Sequence, residues 1–169
     1  MFIIKEVAFW DDLNEIMEQF PKGVFLTTKN EQEVNTMTIG WGTIGVMWNK
    51  PVFQIMIRSS RHTYDFLGLE KEFTLSIPIR QDFKQALAYC GANSGRNQDK
   101  LKECNLHILN GRKVDVPVIG GCKRYYECKV LAKKLVEAED MIDTINQSYY
   151  ETGDFHTIFY GEIITSYEL

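Results

Sequence analysis

The densest group of polar side chains in the sequence follows an apolar run over residues 51–57. Six consecutive residues there carry positive charge or hydrogen-bond donors, namely Arg58, Ser59, Ser60, Arg61, His62 and Thr63. Arginine donates paired hydrogen bonds to phosphate, and hydroxyl groups and the N–H groups at a helix start add donors. Thr63 is a candidate N-cap for a short helix over residues 64–69. The segment predicts a phosphate-binding loop, and the alternative is a solvated strand-to-helix turn.

A second segment with anion-binding chemistry consists of Ser94, Gly95 and Arg96. The glycine allows the backbone to approach a ligand closely, and the flanking side chains supply donors. Taken alone, this tripeptide is typical of a surface turn. It becomes more informative because a second anion-binding loop is predicted on the same small chain.

Two further positions are candidates for contact with a flat ligand. The segment Asn35, Thr36, Met37 and Thr38 is followed by Trp41. Its small polar groups can face the edge of a heteroaromatic ring, with Met37 or Trp41 near the ring face, although threonines also suit an ordinary strand. His156 is a tentative catalytic residue beside a redox cofactor, and the alternative is a structural hydrogen-bonding role.

Familiar catalytic motifs are absent from the sequence. It contains no G-x-S-x-G, no Walker loop, no H-E-x-x-H and no EF-hand pattern. It also lacks the G-x-G-x-x-G fingerprint of a dinucleotide-binding fold. Hydrolase and kinase functions are therefore disfavoured. An enzyme whose cofactor carries the chemistry needs few acid–base residues of its own, and this sequence fits that type.

Composition bounds the class of protein. The chain has 169 residues, which predicts one domain over residues 1–169, and a net charge of −4 argues against nucleic-acid binding. No apolar segment reaches the roughly 18 residues of a membrane span, and the N-terminus does not resemble a signal peptide, so we expect a cytoplasmic protein. The four cysteines, at positions 90, 104, 122 and 128, fit no common metal-ligand spacing and are expected to be free thiols, with redox pairing as the alternative.

The secondary-structure pattern predicts a mainly β fold with a few short helices. Helices are expected over residues 7–20, 64–69, 82–90 and 99–103. Strands are expected over residues 24–28, 51–57, 73–77, 125–136 and 157–167, with another from residue 34 and a turn at 49–51. Regular βαβ alternation is absent, so the pattern favours a small β-barrel over a doubly wound sheet.

Taken in order, the motifs closely resemble those of the flavin reductase-like family, of the flavoredoxin type. The resemblance covers residues 35–163. Each matching motif is weak evidence by itself, whereas six motifs in the family's order are specific. The matching pieces are Asn35-x-Met37-Thr38, Lys50-Pro51-Val52-Phe53, Arg58-x-Ser60-Arg61-His62-Thr63-Tyr64, Glu72-Phe73-Thr74-Leu75-Ser76, Tyr89-Cys90-Gly91-x-x-Ser94-Gly95-Arg96-x-x-Asp99-Lys100 and Gly153-Asp154-x-His156-Thr157-x-x-x-Gly161-Glu162-Ile163.

This resemblance implies an FMN-binding split β-barrel that forms a homodimer, with one flavin per subunit near the dimer interface. It implies that residues 58–63 and 94–96 hold the FMN phosphate and that residues 35–38 lie along the isoalloxazine ring. His156 falls on the family's histidine near the flavin pocket. FAD is a less favoured cofactor, and no metal site is implied.

The resemblance also implies an oxidoreductase function. A reduced donor, NADH or NADPH, would pass electrons to flavin, iron or a protein acceptor. The alternative is a flavoredoxin-type electron carrier without its own nicotinamide turnover, which would act with a redox protein partner. A non-flavin binding module on the same barrel is a third hypothesis.

Overall fold

The computed structural model of the chain describes residues 3–169. Its strands are β1 (Lys5–Glu6), β2 (Val24–Lys29), β3 (Val34–Ile39), β4 (Gly42–Met47), β5 (Lys50–Arg58), β6 (Glu72–Ile77), β7 (Ile108–Leu109), β8 (Val118–Ile119), β9 (Arg124–Leu135) and β10 (His156–Glu168). Its α-helices are α1 (Leu13–Gln19), α2 (Lys84–Ala92), α3 (Lys100–Glu103) and α4 (Asp143–Tyr149). Short 3₁₀ turns occupy Phe20–Lys22, His62–Phe66 and Ala138–Asp140.

Most strands belong to one antiparallel sheet that runs in the order β3-β2-β6-β9-β10-β5-β4, with β1 paired to β10 and β7 paired separately to β8. The two end strands, β3 and β4, are consecutive in the chain, yet each pairs only on its other side. The sheet therefore curves into a barrel that is open between β3 and β4. This confirms the predicted mainly β, split-barrel fold class.

Side-chain alternation along the strands builds two apolar layers. On β2, Val24 and Leu26 face the main core while Phe25 faces a second cluster outside the sheet. That outer cluster contains Leu87 and Cys90 of α2. Burial of these side chains holds α2 against the sheet and fixes the loop that follows it, which forms one wall of the site.

The predicted hairpin between β2 and β3 and the strands over β5, β6, β9 and β10 are confirmed within one to two residues. The turn predicted at 49–51 lies one residue earlier, because Trp48 and Asn49 both have positive φ, 52° and 56°, as a two-residue type I′ hairpin requires.

The predicted helix over residues 7–20 is wrong in its first half, because α1 begins only at Leu13. Asp12 has a left-handed φ of 53°. The backbone carbonyls before it are used by tertiary contacts, since the hydroxyl of Tyr126 donates to Phe9 and Arg124 donates to the carbonyl of Asp11. A buried arginine on β9 thus holds this segment as a turn.

The helix predicted over 64–69 is a 3₁₀ turn over His62–Phe66, and Thr63 does not cap it. Its hydroxyl instead accepts a hydrogen bond from Asn35. Helix α4 was not predicted, because none of its residues is buried and it has no apolar stripe to mark it. None of the helices described for residues 3–169 is long and apolar enough to cross a membrane.

Candidate functional site

The first predicted phosphate loop lies where β5 ends. Arg58 closes the strand, and the N–H of Arg61 donates to the Arg58 carbonyl at 3.0 Å, which turns the chain into the 3₁₀ segment. This turn aims the loop into a cavity of about 470 Å³. The residues of the loop that line it are Arg58, Ser60, Arg61, His62 and Thr63, whereas Ser59 is exposed and lies outside its lining.

The second predicted loop forms the opposite wall of the same cavity. Ser94, Gly95 and Arg96 line it, together with Asn93 and Asn97. Arg96 bridges the two loops, because its guanidinium donates to the Ser60 carbonyl at 2.8 Å and to the Asp65 carboxylate at 2.7 Å. The structure therefore brings together two clusters that are more than 30 residues apart in the chain.

Lys100 lies in this cavity and is a candidate binding residue that sequence analysis did not assign. Its side chain is 5% exposed, and among residues 3–169 its ammonium donates only to backbone oxygens, those of Cys90 at 3.4 Å and Asn93 at 3.3 Å. Burial lowers the pKa of the Lys100 amine, and the neighbouring Arg61 lowers it further. A buried amine without a carboxylate partner gains by binding an anion. The one sequence feature that could have indicated Lys100 is its place in the Asp99-Lys100 pair of the family motif.

The backbone at Gly95 lies so close to the side chain of Asn35 that only glycine, which has no Cβ atom, fits there. A Cβ atom at this position would lie 2.1 Å from Oδ1 of Asn35 and 3.0 Å from the His62 ring. Asn35 is itself buried and donates to Oγ1 of Thr63 at 2.7 Å. Strand β3, the 94–96 loop and the 3₁₀ segment are thus packed on one another through Asn35.

We expect Gly95→Ala to push the 94–96 loop away from Asn35 and to weaken binding of a phosphate ligand by at least tenfold. The Cβ contact is far shorter than van der Waals distance, so either the loop or the buried, hydrogen-bonded Asn35 side chain must move, and both lie at the site. Titration with FMN, followed by flavin fluorescence, measures the effect. Gly68→Ala is the matched control, since the nearest atom to its new Cβ is 3.9 Å away. Equal affinity of the two variants would contradict this account.

Arg58 lines the cavity but uses its guanidinium to hold the chain before β10. It donates to the Asp154 carbonyl at 2.6 Å and to the Tyr149 carbonyl at 2.8 Å. The Asp154 carboxylate, also in the cavity wall, accepts from the Ser60 hydroxyl at 2.7 Å. Arg58 and Ser60 are therefore engaged in protein contacts, and Arg61 carries more of the unused donor capacity.

His62 sits at the rim of the cavity between two carboxylates. Its Nε2 lies 2.7 Å from the Glu33 carboxylate. Its Nδ1 is buried and has no hydrogen-bond partner in the described part of the chain, with the Asp65 carboxylate 3.5 Å away. His62 therefore lines the cavity with a ring that is placed between Glu33 and Asp65.

The predicted ring-contacting segment is divided by strand alternation. Met37 faces the core and the cavity, while the hydroxyls of Thr36 and Thr38 are used in contacts with the backbone of β2 and α2. The Thr36 hydroxyl donates to the carbonyl of Leu26, and that of Thr38 to the carbonyl of Leu87 on α2. These two threonines anchor β3 through their hydroxyls.

A smaller cavity of about 170 Å³ adjoins the first at the open side of the barrel. It shares Met37, Arg58 and Arg61 with the larger cavity. The other residues that line it are Thr38, Ile39, Gly40, Trp41, Met56 and His156. Together the two cavities form a groove that is basic and polar at one end and flanked by aromatic and sulfur-containing side chains at the other.

His156 is 8% exposed, and its ring lies 5.3 Å from that of Trp41. Burial, together with the positive charge of Arg58, lowers the pKa of His156 to about 4. The imidazole is therefore neutral near pH 7.

Cys90, in the wall of the larger cavity, is buried, and burial raises the pKa of its thiol to about 12, so it stays protonated. All four cysteines are free thiols.

The donor set of the groove fits a flavin mononucleotide. Within residues 3–169, the only side-chain hydrogen bond of Arg61 is a 3.2 Å contact with the Gly91 carbonyl, which leaves most of its donors unused. The buried ammonium of Lys100 lies in the wall of the same cavity. Cationic groups that are not fully neutralised suit a phosphate, and the sulfur and aromatic side chains at the other end suit a flat ring.

Residues 17–168 match the family model described as "Flavin reductase like domain". The chain belongs to the flavin reductase-like family. Flavoredoxin of Desulfovibrio vulgaris (Miyazaki F) is 25% identical, with a TM-score of 0.65 over 85% of this chain and 67% of that chain.

Two further solved structures share the fold of this family member. The NADH:FAD oxidoreductase of Streptomyces globisporus is 24% identical, with a TM-score of 0.63 over 97% of this chain and 87% of that chain. An FMN-binding domain of a flavin reductase-like enzyme from Shewanella baltica is 17% identical, with a TM-score of 0.66 over 98% of this chain and 77% of that chain. The resemblance stated from the motifs is confirmed, and membership of this family supports a flavin-binding redox role.

Proposed function

We propose that this chain is an FMN-binding oxidoreductase that passes electrons from NADH or NADPH to free flavin, ferric iron or a protein acceptor. The observation that carries the proposal is the pair of adjoining cavities, with Arg96 and Lys100 in the larger, Trp41 and His156 in the smaller, and Arg61 lining both. Its two ends differ in the way that the phosphate and ring ends of FMN differ.

The basic end favours FMN over FAD. A terminal phosphate monoester carries close to two negative charges at pH 7, whereas each phosphate of a diphosphate bridge carries one. Arg61 and Lys100 have no carboxylate hydrogen-bond partner among the described residues, so they can neutralise a doubly charged group. The Ser94 hydroxyl accepts from the Arg96 N–H and could donate its own proton to the phosphate.

The ring end of the groove has few acid–base residues, and a flavin enzyme needs few of them. Bound FMN would provide the electron and hydride transfer. The chain would orient the ring between Met37 and Trp41, exclude water with Met56 and offer the neutral His156 as a hydrogen-bonding group. Among the described residues no second, dinucleotide-binding domain lies beside the groove, so a nicotinamide donor would have to reach the flavin from the open side of the groove.

The visible spectrum of the purified protein, repeated after addition of FMN and gel filtration, tests the proposal. A yellow protein with a perturbed flavin spectrum is the expected result. A colourless protein that retains no FMN and shows no binding in a fluorescence titration would contradict it and favour a non-flavin ligand for the basic cavity.

Oxidation of NADH or NADPH by the flavin-loaded protein then separates a reductase from a carrier. The similarity to flavoredoxin favours the carrier as the second candidate. Reduction by dithionite or by a redox protein, combined with negligible nicotinamide oxidation with and without added free flavin, would identify a carrier.

We further propose a homodimer built on strand β4. This end strand of the sheet presents Val46 at 64% exposure and Trp48 at 59% just after it, and Trp48 packs against Tyr160 of the same sheet. Large apolar side chains along an unpaired strand edge are typical of a contact between subunits. Trp41 and Tyr149 extend the exposed aromatic surface toward the groove.

We expect Val46→Glu with Trp48→Glu to convert a dimer into a monomer, since the pair would bury two unpaired charges in the contact. Molar mass by light scattering measures the change. Leu69→Glu is the control, because Leu69 is equally exposed, at 60%, and lies outside β4. A wild-type monomer at micromolar concentration, or a variant dimer, would overturn the proposal.

A further inference from the structure

His156 is bonded to a tyrosine that the motifs did not single out. The hydroxyl of Tyr150 lies 2.7 Å from Nδ1 of His156, and the two rings pack edge to face at 5.5 Å. Tyr150 is 6% exposed. Within residues 3–169 its hydroxyl has no other hydrogen-bond partner, so this bond satisfies the only buried donor of the side chain.

The surrounding residues fix the position of Tyr150. The guanidinium of Arg58 lies 5.0 Å above the centre of its ring, and Phe155 stacks on it at 5.1 Å. Arg58 also donates to the carbonyls of Tyr149 and Asp154, on either side of Tyr150 in the chain. The hydroxyl is therefore held in place by the segment between α4 and β10.

The charges around His156 come from several elements. Arg58 on β5 and Arg61 on the following turn oppose protonation of the imidazole, and the Asp154 carboxylate favours it. Burial and the two arginines prevail, so the ring is neutral over most of the physiological pH range. A neutral imidazole carries one N–H, and its second nitrogen can only accept.

We propose that Tyr150 is a positioning residue that donates to Nδ1 of His156 and thereby fixes the tautomer whose Nε2–H faces the groove, as a donor for a carbonyl oxygen. Within the described residues Nε2 has no hydrogen-bond partner, and His156 lines the smaller cavity. The carbonyl would belong to the pyrimidine part of the flavin or to the carboxamide of a nicotinamide. This ligand role rests on the proposed function, whereas the tautomer is a property of the chain alone.

The tautomer is measured by long-range ¹H–¹⁵N NMR on protein labelled with ¹⁵N-histidine, before and after addition of FMN. His156→Gln assigns the signal among the three histidines. We expect an acceptor-type shift for Nδ1 and a donor-type shift for Nε2 in the wild type. A protonated Nδ1 would overturn the proposal, and this result needs neither a variant nor a functional flavin site.

Tyr150→Phe removes the hydroxyl and keeps the ring that Arg58 and Phe155 contact. We expect the two nitrogen shifts to move toward each other as the tautomers mix, and kcat/KM for nicotinamide oxidation to fall about tenfold, as for loss of one oriented hydrogen bond. Tyr149→Phe is the matched control, because its hydroxyl makes no hydrogen bond within residues 3–169 and its ring does not line the groove.

The binding constants identify which carbonyl accepts the bond. Weaker FMN binding in Tyr150→Phe assigns the acceptor to the flavin, and a raised KM for the nicotinamide with unchanged FMN binding assigns it to the donor. A Tyr150→Phe protein with wild-type shifts and wild-type kinetics would overturn the positioning role. If the wild type binds no flavin but shows the expected tautomer, the proposed function fails while the tautomer assignment stands.

Discussion

Replacing Arg61 and Arg96 together with alanine is expected to lower affinity for FMN at least a hundredfold. Each side chain lines the larger cavity, and each can make charge-assisted hydrogen bonds to a phosphate. Such bonds contribute about 1.5–3 kcal/mol apiece, so losing two costs at least about 3 kcal/mol. Flavin fluorescence titration measures the dissociation constant, and the flavin retained after gel filtration gives an independent measure.

The two arginines act in different ways, which predicts a difference between the single variants. Arg61 has most of its donors unused, so Arg61→Ala removes direct ligand contacts. Arg96 also joins the two loops through the Ser60 carbonyl and Asp65, so Arg96→Ala loosens the cavity wall as well. We therefore expect Arg96→Ala to lower FMN affinity more than Arg61→Ala. Because both arginines serve one ligand group, we expect the loss in the double variant to differ from the sum of the two single losses.

A control must remove the same charge elsewhere. Arg80 and Arg112 pair with Glu15 and Glu6 and line neither part of the groove. Arg80→Ala with Arg112→Ala therefore reproduces the change in net charge without touching the cavity. Unchanged flavin occupancy in the Arg61/Arg96 variant, or an equal loss in this control, would remove the phosphate assignment.

The anion-binding chemistry of the two basic loops could be predicted from the sequence, because arginine, serine and glycine supply hydrogen-bond donors and close backbone approach, although each segment alone is also typical of a surface turn. That the two loops meet could not be predicted from spacing. It depends on the sheet order, which places β5 and the loop after α2 on either side of one cavity. The contact from Arg96 to the Ser60 carbonyl exists only in the folded chain.

Side-chain direction limited the other site predictions. Residues 35–38 were predicted as a unit, but alternation along β3 divides them between the cavity side and the α2 side. Lys100 sits in a four-residue helix and resembles a surface lysine in sequence, although it is almost fully buried. Tyr150 follows a helix without an apolar stripe, so nothing local marked it as a partner of His156.

His156 is expected to make the folded chain sensitive to mild acid. Its pKa in the folded protein is about 4, against 6.5 for an unperturbed histidine, and burial is the main cause. Above pH 6.5 the folded and unfolded chains both hold the ring neutral, and its full contribution to stability is present. As the pH falls toward 4, the unfolded chain takes up a proton that the folded chain does not, so stability decreases.

The size of this effect follows from the difference between the two pKa values, which corresponds to about 3 kcal/mol of unfolding free energy lost between pH 6.5 and pH 4. Carboxylates that titrate in the same window add their own contributions, so the histidine is isolated by comparing variants. Urea unfolding of the wild type and of His156→Gln at a series of pH values gives, for each protein, the change in unfolding free energy with pH. The variant should lose less stability across the window, even if it is less stable at pH 7.

His107 provides the matched control for this experiment, because it is an exposed histidine outside the groove. His107→Gln should keep the wild-type dependence of stability on pH, because it leaves the buried ring of His156 in place. If His156→Gln lost stability with falling pH as steeply as the wild type does, the His156 ring of the wild type would have to be protonated in the folded chain near pH 6. A protonated ring could not accept the hydrogen bond from Tyr150. That result would contradict both the neutral state and the tautomer that we assign to His156.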